Sequence, residues 1–201
     1  MLEAELTQLR RRGLWLQGIS IAWTLVVAAV AIAAGIAASS VDLVGLGLES
    51  VIELLAAAIV IWQLTGGAAR ESWAMRLIDV AFLASAAYLT VDSIRELAER
   101  DHSRHSTAGL VVAGAALLVM PLLALAKRRT GQALASRPML ADAEETAMAA
   151  AAAATALVGV GLDTWLGWWW IVPAAGLVIA ALATTESVLL WRHSYRRHRA
   201  G

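Results

Sequence analysis

Six long apolar runs constrain the fold of this chain more than any other feature. They cover residues 14–38, 42–64, 74–95, 107–126, 139–163 and 167–191. Each run has about 20 residues or more, which is the length that an α-helix needs to cross the hydrocarbon core of a bilayer. A helix also satisfies its backbone hydrogen bonds internally, as a lipid environment requires. The pattern predicts an all-α, multi-pass membrane protein with six transmembrane helices.

The composition leaves little room for a separate soluble domain. Of the 201 residues, 60% are hydrophobic, whereas a soluble domain is nearer one half. The absence of cysteine excludes disulfides and thiolate metal sites. Outside a transmembrane domain at residues 14–191, we expect an amphipathic cytoplasmic segment at residues 1–13 and a basic cytoplasmic tail at residues 192–201. Both flanking segments suit contact with membrane lipids.

The basic residues predict the orientation of the chain. One side of a six-span arrangement holds thirteen of the sixteen: Arg10, Arg11, Arg12, Arg70, Arg76, Lys127, Arg128, Arg129, Arg137, Arg192, Arg196, Arg197 and Arg199. The other side holds Arg95, Arg100 and Arg104. Because lysine and arginine are enriched in cytoplasmic loops, both termini are expected in the cytoplasm. We expect the plasma (inner) membrane as the location.

Two carboxylates lie in the middle of the second run. Glu49 and Glu53 are four residues apart, so both lie on one helix face. A charged side chain at membrane depth costs at least about 2.5 kcal/mol, and no lysine or arginine within the spans matches this pair. The two groups must therefore be protonated, metal-bound or in contact with water.

The fifth run offers further carboxylates at a similar depth. Asp142 and Glu145 share a helix face, and Glu145 lies about 9 Å from the inner helix end, within about a turn of the depth of Glu53. These helices could present three or four carboxylates to one ion. Asp142 suits a second role equally well, since acidic residues near a helix N-terminus often interact with its dipole.

Two more acidic residues are candidates for an ion or proton path. Asp42 lies on the stripe of Glu49 and Glu53, near the predicted outer surface, and could mark an entry path. Glu186, in the sixth run, could carry protons or form a hydrogen bond between helices, and the sequence leaves both roles open.

The chain resembles the transmembrane domain of the cation diffusion facilitators, which are proton-coupled exporters of divalent metal ions. In that family, the second span carries Asp-x-x-x-Asp, where Glu49 and Glu53 stand here. The fifth span begins Ala-Asp-Ala-x-His-x-x-x-Asp, and here Ala141–Glu145 reproduces the opening. Glu145 takes the place of the ligand histidine, and Ala149 takes the place of the fourth ligand. The chain resembles the short branch that lacks the cytoplasmic C-terminal domain.

The expected function is divalent cation/proton antiport in the direction of efflux. Glu49, Glu53 and Glu145 are the expected metal ligands, with Asp142 as a fourth, and crowding of like charges favours protons in the empty site. An all-oxygen site favours Mn²⁺, Mg²⁺ or Fe²⁺, while the resemblance implies Zn²⁺ and a homodimer. A non-transporting scaffold or regulatory subunit derived from this fold is the alternative. We expect neither enzymatic activity nor nucleic-acid binding.

Overall fold

Six helices make up the described part of the chain, which covers residues 2–38, 41–99 and 107–198 of a computed structural model. They are α1 (Leu2–Ala38), α2 (Val41–Gly66), α3 (Glu71–Glu99), α4 (Thr107–Ala133), α5 (Arg137–Leu166) and α6 (Ile171–His198). A single 3₁₀ turn, Ala68–Arg70, precedes α3. These ranges contain no strand, and the predicted all-α architecture of six helices is confirmed.

The first five helices are long and apolar enough to cross a membrane, judged by length and composition over the described residues. In α6, the described apolar part, Ile171–Thr185, is shorter. Helix α1 runs without a break from Leu2 to Ala38, so the segment that we predicted to be amphipathic and cytoplasmic continues directly into the first apolar run, and its contact with the membrane surface stays a prediction.

Within the described residues, short turns join α2 to α3, α4 to α5 and α5 to α6, so that each of these pairs runs antiparallel. Gly67 and Gly167 adopt φ values of 71° and 68°, in the left-handed region that glycine enters without steric cost. Gly167 ends α5 by donating its N–H to the carbonyl of Asp163.

The two ends of the bundle differ in charge. We call the end that carries Arg70, Arg76, Arg128, Arg129 and Arg137 the basic end, and the other the opposite end.

An apolar core closes the bundle towards its basic end. Val60 of α2, Ile78 and Phe82 of α3, and Met139 of α5 are buried against one another. Beside this core, the Ser136 hydroxyl donates a 3.1 Å hydrogen bond to Oε1 of Gln63, which links the start of α5 to the last turns of α2.

Small residues bring α3 and α6 into close contact further along the bundle. At Gly176 of α6, a Cβ atom would collide with the hydroxyl oxygen of Ser93 in α3. Small residues at such crossings let membrane helices approach closely. The arrangement holds α6 against α3 and leaves a cavity between these two helices and the rest of the bundle.

Candidate functional site

A cavity of about 360 Å³ lies inside the bundle, and all six helices contribute to its wall. Its lining reaches from Glu96, Leu110 and Val172, near the opposite end, to Glu145 and Ala183 deeper in the bundle. Most of the wall is alanine, valine, leucine and methionine, with a few acidic side chains. Such a cavity, apolar with a few convergent polar groups, is typical of a small-ligand site.

Three of the predicted metal ligands line this cavity. Glu49 and Glu53 reach it from α2, and Glu145 reaches it from α5. The three carboxylates are close enough to repel one another, since Glu145 interacts electrostatically with both residues of α2. The depth and helix faces inferred from the sequence agree with this arrangement, while metal binding itself stays a prediction.

Two carboxylate oxygens of this group are buried without a hydrogen-bond partner. They are Oε1 of Glu53 and Oε2 of Glu145. Thr24, buried in α1, forms a side-chain hydrogen bond with the carboxyl of Glu53. Unpaired buried oxygens are costly, and a proton, a water molecule or a cation would satisfy them. The cavity therefore contains acceptors that suit a positively charged ligand.

Asp142, the predicted fourth ligand, has a different environment and is absent from the cavity wall. Its Oδ2 accepts hydrogen bonds from Nζ of Lys127 at 2.9 Å and from Nε2 of Gln17 at 2.6 Å. Lys127 also donates to the Thr146 hydroxyl at 3.0 Å, and Thr146 donates to the backbone carbonyl of Asp142 at 2.9 Å. Each of these four residues is 0% exposed. We call Gln17, Lys127, Asp142 and Thr146 the lysine cluster.

The lysine cluster corrects two expectations from the sequence. Lys127 was expected with Arg128 and Arg129 at the cytoplasmic surface, but α4 continues to Ala133 and buries Lys127 completely. It was also expected that no lysine in the spans would match the carboxylates. Lys127 pairs with Asp142 and attracts Glu53 and Glu145 electrostatically. A cation that belongs to the chain thus sits beside the candidate site.

The described residues contain no group of three histidine, cysteine or acidic side chains that converges closely enough to hold a metal ion. Ala149 lines the cavity, at the position that the resemblance assigns to a fourth ligand. The carboxylates of the two helices therefore face one cavity without closing on one point. Binding a metal in this site requires an approach of α2 and α5 or water molecules in the coordination shell.

The sequence reasoning missed two acidic residues of α3. Asp92 and Glu96 both line the cavity, and Asp92 interacts electrostatically with Glu49. Their spacing of four, which continues back to Tyr88, places all three on one face of α3. That spacing was visible in the sequence and was the signal that could have identified them. They extend the acidic lining towards the opposite end.

The side chains of two other candidates, Asp42 and Glu186, lie outside the described residues, although α2 and α6 include their positions. Both assignments therefore stay predictions.

Known proteins resemble this chain over most of the helices that form the cavity. Residues 76–197 match the family model described as the cation efflux transmembrane domain. Transmembrane protein 163 of Xenopus laevis is 30% identical over 138 residues, which are 66% of this chain and 49% of that protein. The chain thus spans about half the length of this relative. The family match includes Lys127, Asp142 and Glu145, whereas Glu49 and Glu53 precede it.

Proposed function

Because the chain belongs to the cation efflux transmembrane domain family, we propose that it is a divalent cation/proton antiporter that exports its ion. Membership supports a role in cation transport in general. The observation that supports the finer proposal is the cavity, which Glu49, Glu53 and Glu145 all line and in which two of their oxygens are buried without a partner.

The exchange of ion for protons follows from the charge of these groups. Three carboxylates in an apolar wall are too costly to remain ionised together without a counter-charge. In the empty site, protons supply that charge, and an arriving divalent cation replaces them. The same groups therefore bind metal and protons in turn, which couples the two fluxes.

The ligand chemistry narrows the choice of ion. Carboxylate oxygens favour the harder ions Mn²⁺, Mg²⁺ and Fe²⁺, and Zn²⁺ accepts carboxylates as well. In our proposal, Glu49, Glu53 and Glu145 are the direct ligands. Asp142 joins them only when Lys127 releases it, because its Oδ2 accepts the lysine ammonium. We also propose a homodimer in the plasma membrane as the working form.

Flux measurements in proteoliposomes test the proposal. The protein is reconstituted with a pH gradient, and uptake of Mn²⁺, Zn²⁺, Fe²⁺ and Mg²⁺ is compared with that of Glu49→Gln, Glu53→Gln and Glu145→Gln. We expect pH-dependent flux of at least one ion, and its loss in the three variants. Glu144→Gln is the matched control, since Glu144 neighbours Glu145 but does not line the cavity. Equal flux in all five proteins would refute antiport through this site.

A second function, a non-transporting scaffold or regulatory subunit, is favoured by two observations. The carboxylates do not converge as a three-ligand group within the described residues, and Ala149 lines the cavity where the resemblance places a ligand. Metal-dependent thermal shift separates the two functions. Stabilisation by one ion, abolished by Glu53→Gln, supports a working site, whereas no response to any divalent ion supports the scaffold.

A further inference from the structure

The lysine cluster lies between the cavity and the basic end of the bundle. On α1, Gln17 precedes Thr24 by seven residues, or about 10 Å along the helix axis. Thr24 contacts Glu53 of the cavity, and Gln17 contacts Asp142. On α5, Asp142 likewise precedes Glu145 by three residues, on the side of the basic end. None of the four members of the lysine cluster lines the cavity.

The cluster ties three helices together at this level. Gln17 belongs to α1, Lys127 to α4, and both Asp142 and Thr146 to α5. The single oxygen Oδ2 of Asp142 accepts from both of the other helices. The apolar core with Val60, Ile78 and Met139 lies towards the same end. In the direction of the basic end, an ion in the cavity therefore meets the lysine ammonium and then the buried apolar core.

We propose that Lys127 is a tethered cation that closes the ion path at the basic end, and that the path opens there only when Lys127 releases Asp142. This inference rests on the proposed function in one respect, which is that the cavity is an ion path. The positive-inside rule predicts the basic end to be cytoplasmic, so the structure has the arrangement of a transporter closed to the cytoplasm and hollow towards the other side. Lys127 acts through position and charge and is not itself a metal ligand.

The charges provide a way for ion binding to act on this closure. Lys127 is attracted by Glu53 and Glu145 as well as by Asp142. When Glu53 and Glu145 are ionised they attract Lys127, and a divalent cation bound to their carboxylates neutralises that charge and weakens the attraction. The ion thus favours the state in which Lys127 has moved away, which is the differential interaction that a conformational change requires.

Two unpaired atoms indicate where the ion would go next. Oδ1 of Asp142 and Oε1 of Gln17 are buried without a hydrogen-bond partner. Both belong to residues that are 0% exposed, and both atoms are acceptors that suit a cation. When Lys127 departs, Oδ2 of Asp142 becomes available as well. The lysine cluster then offers a second set of oxygen ligands one step nearer the basic end.

Side-specific cysteine labelling tests the closure directly. The chain has no cysteine of its own, so Ala116→Cys, in the cavity wall on α4, gives a single reporter. A membrane-impermeant thiol reagent is applied to one side of reconstituted vesicles at a time. With Lys127 intact, we expect labelling from the opposite end and almost none from the basic end.

The decisive variant combines Lys127→Met with Asp142→Asn on the reporter, because it removes the pair without leaving an orphaned charge. We expect labelling from the basic end to rise about tenfold, as loss of hydrogen bonds to a charged group implies. Thr146→Val, which removes one acceptor of Lys127, is a milder second variant and should raise labelling by a smaller factor. Lys127→Arg keeps the positive charge and should keep labelling from the basic end as low as in the protein with Lys127 intact.

The matched control is Arg128→Met on the same reporter, since Arg128 is an exposed cation next to Lys127. It should leave the labelling pattern unchanged. Unchanged basic-end labelling in both the double variant and Thr146→Val would overturn the proposal. The labelling requires no transport, so a protein without flux that still shows the expected pattern would refute antiport and leave the closure standing.

Discussion

Two neighbouring groups of buried polar residues in this bundle differ in what balances their charge. In the lysine cluster, Asp142 is paired with a cation of the same chain and accepts two charged or polar donors at one oxygen. In the cavity, Glu53 and Glu145 each retain a buried oxygen without a partner. The first group can hold helices together without any ligand, whereas the second retains acceptors that a proton, a water molecule or a cation would satisfy.

This difference separates carboxylates that look alike in the sequence. Asp142 and Glu145 are three residues apart on α5, and the sequence made Glu145 an expected metal ligand and Asp142 a possible fourth. Their roles diverge because Lys127 of α4 reaches only the first of them directly. An acidic residue in a membrane helix indicates function by default, and in this chain the pairing with Lys127 distinguishes Asp142 from Glu145.

The largest expected effect comes from breaking the buried ion pair. Lys127→Met leaves Asp142 as an uncompensated buried charge, and removal of one partner of such a pair costs about 3–5 kcal/mol. The free energy of unfolding, measured by chemical unfolding in detergent micelles, should fall by that amount. Arg128→Met, the exposed neighbour, should change it by less than about 0.5 kcal/mol. Equal losses in both variants would contradict the assignment of Lys127 as a buried counter-charge.

Removing both partners should cost much less than removing one. Replacement of a buried ion pair by groups of similar size is often neutral, so Lys127→Met combined with Asp142→Asn should recover most of the lost stability. The same unfolding assay, run as a double-mutant cycle, measures the coupling between the two sites. A double variant as unstable as the sum of its single changes would show that the two groups act independently.

Ligand addition should stabilise the protein through the cavity alone. At a divalent ion concentration of 100 times its Kd, binding adds about 2.7 kcal/mol to the free energy of unfolding. Glu53→Gln should remove this increment, whereas Glu144→Gln should preserve it. If Glu53→Gln responds to the ion as strongly as the wild type, Glu53 is not a ligand.

The smallest expected effect concerns a neutral hydrogen bond at the basic end. Ser136→Ala removes the bond to Gln63, and hydrogen bonds between membrane helices average about 0.6 kcal/mol. A loss of that size in the unfolding assay would place this bond well below the charged contacts of the lysine cluster. A loss above that of Lys127→Met would reverse the ranking.

The sequence was sufficient to predict the six helices and to select the three glutamates that line the cavity. The helices follow from the length of the apolar runs. Residues four positions apart lie on the same face of a helix, so the face of the acidic residues can also be inferred from the sequence alone. Glu49, Glu53 and Glu145 were therefore identified before any contact was known. The acidic face of α3 with Asp92 and Glu96 follows from the same rule and was overlooked.

The lysine cluster could not be predicted in this way. Gln17 and Asp142 are 125 residues apart, and nothing local to either residue specifies the other. The burial of Lys127 was also not evident from the sequence, because Lys127, Arg128 and Arg129 together resemble an ordinary basic loop. Only the packing of α4 against α5 shows that one of three consecutive cations faces the interior.

Equilibrium binding of Mn²⁺ and Zn²⁺ to the purified protein tests the central claim most directly. The wild type is compared with Glu53→Gln and with Lys127→Met combined with Asp142→Asn. If the ion belongs to the unpaired carboxylates of the cavity, Glu53→Gln loses binding and the double variant keeps it. Retention of binding by Glu53→Gln together with its loss in the double variant would place the ion in the lysine cluster and contradict the account.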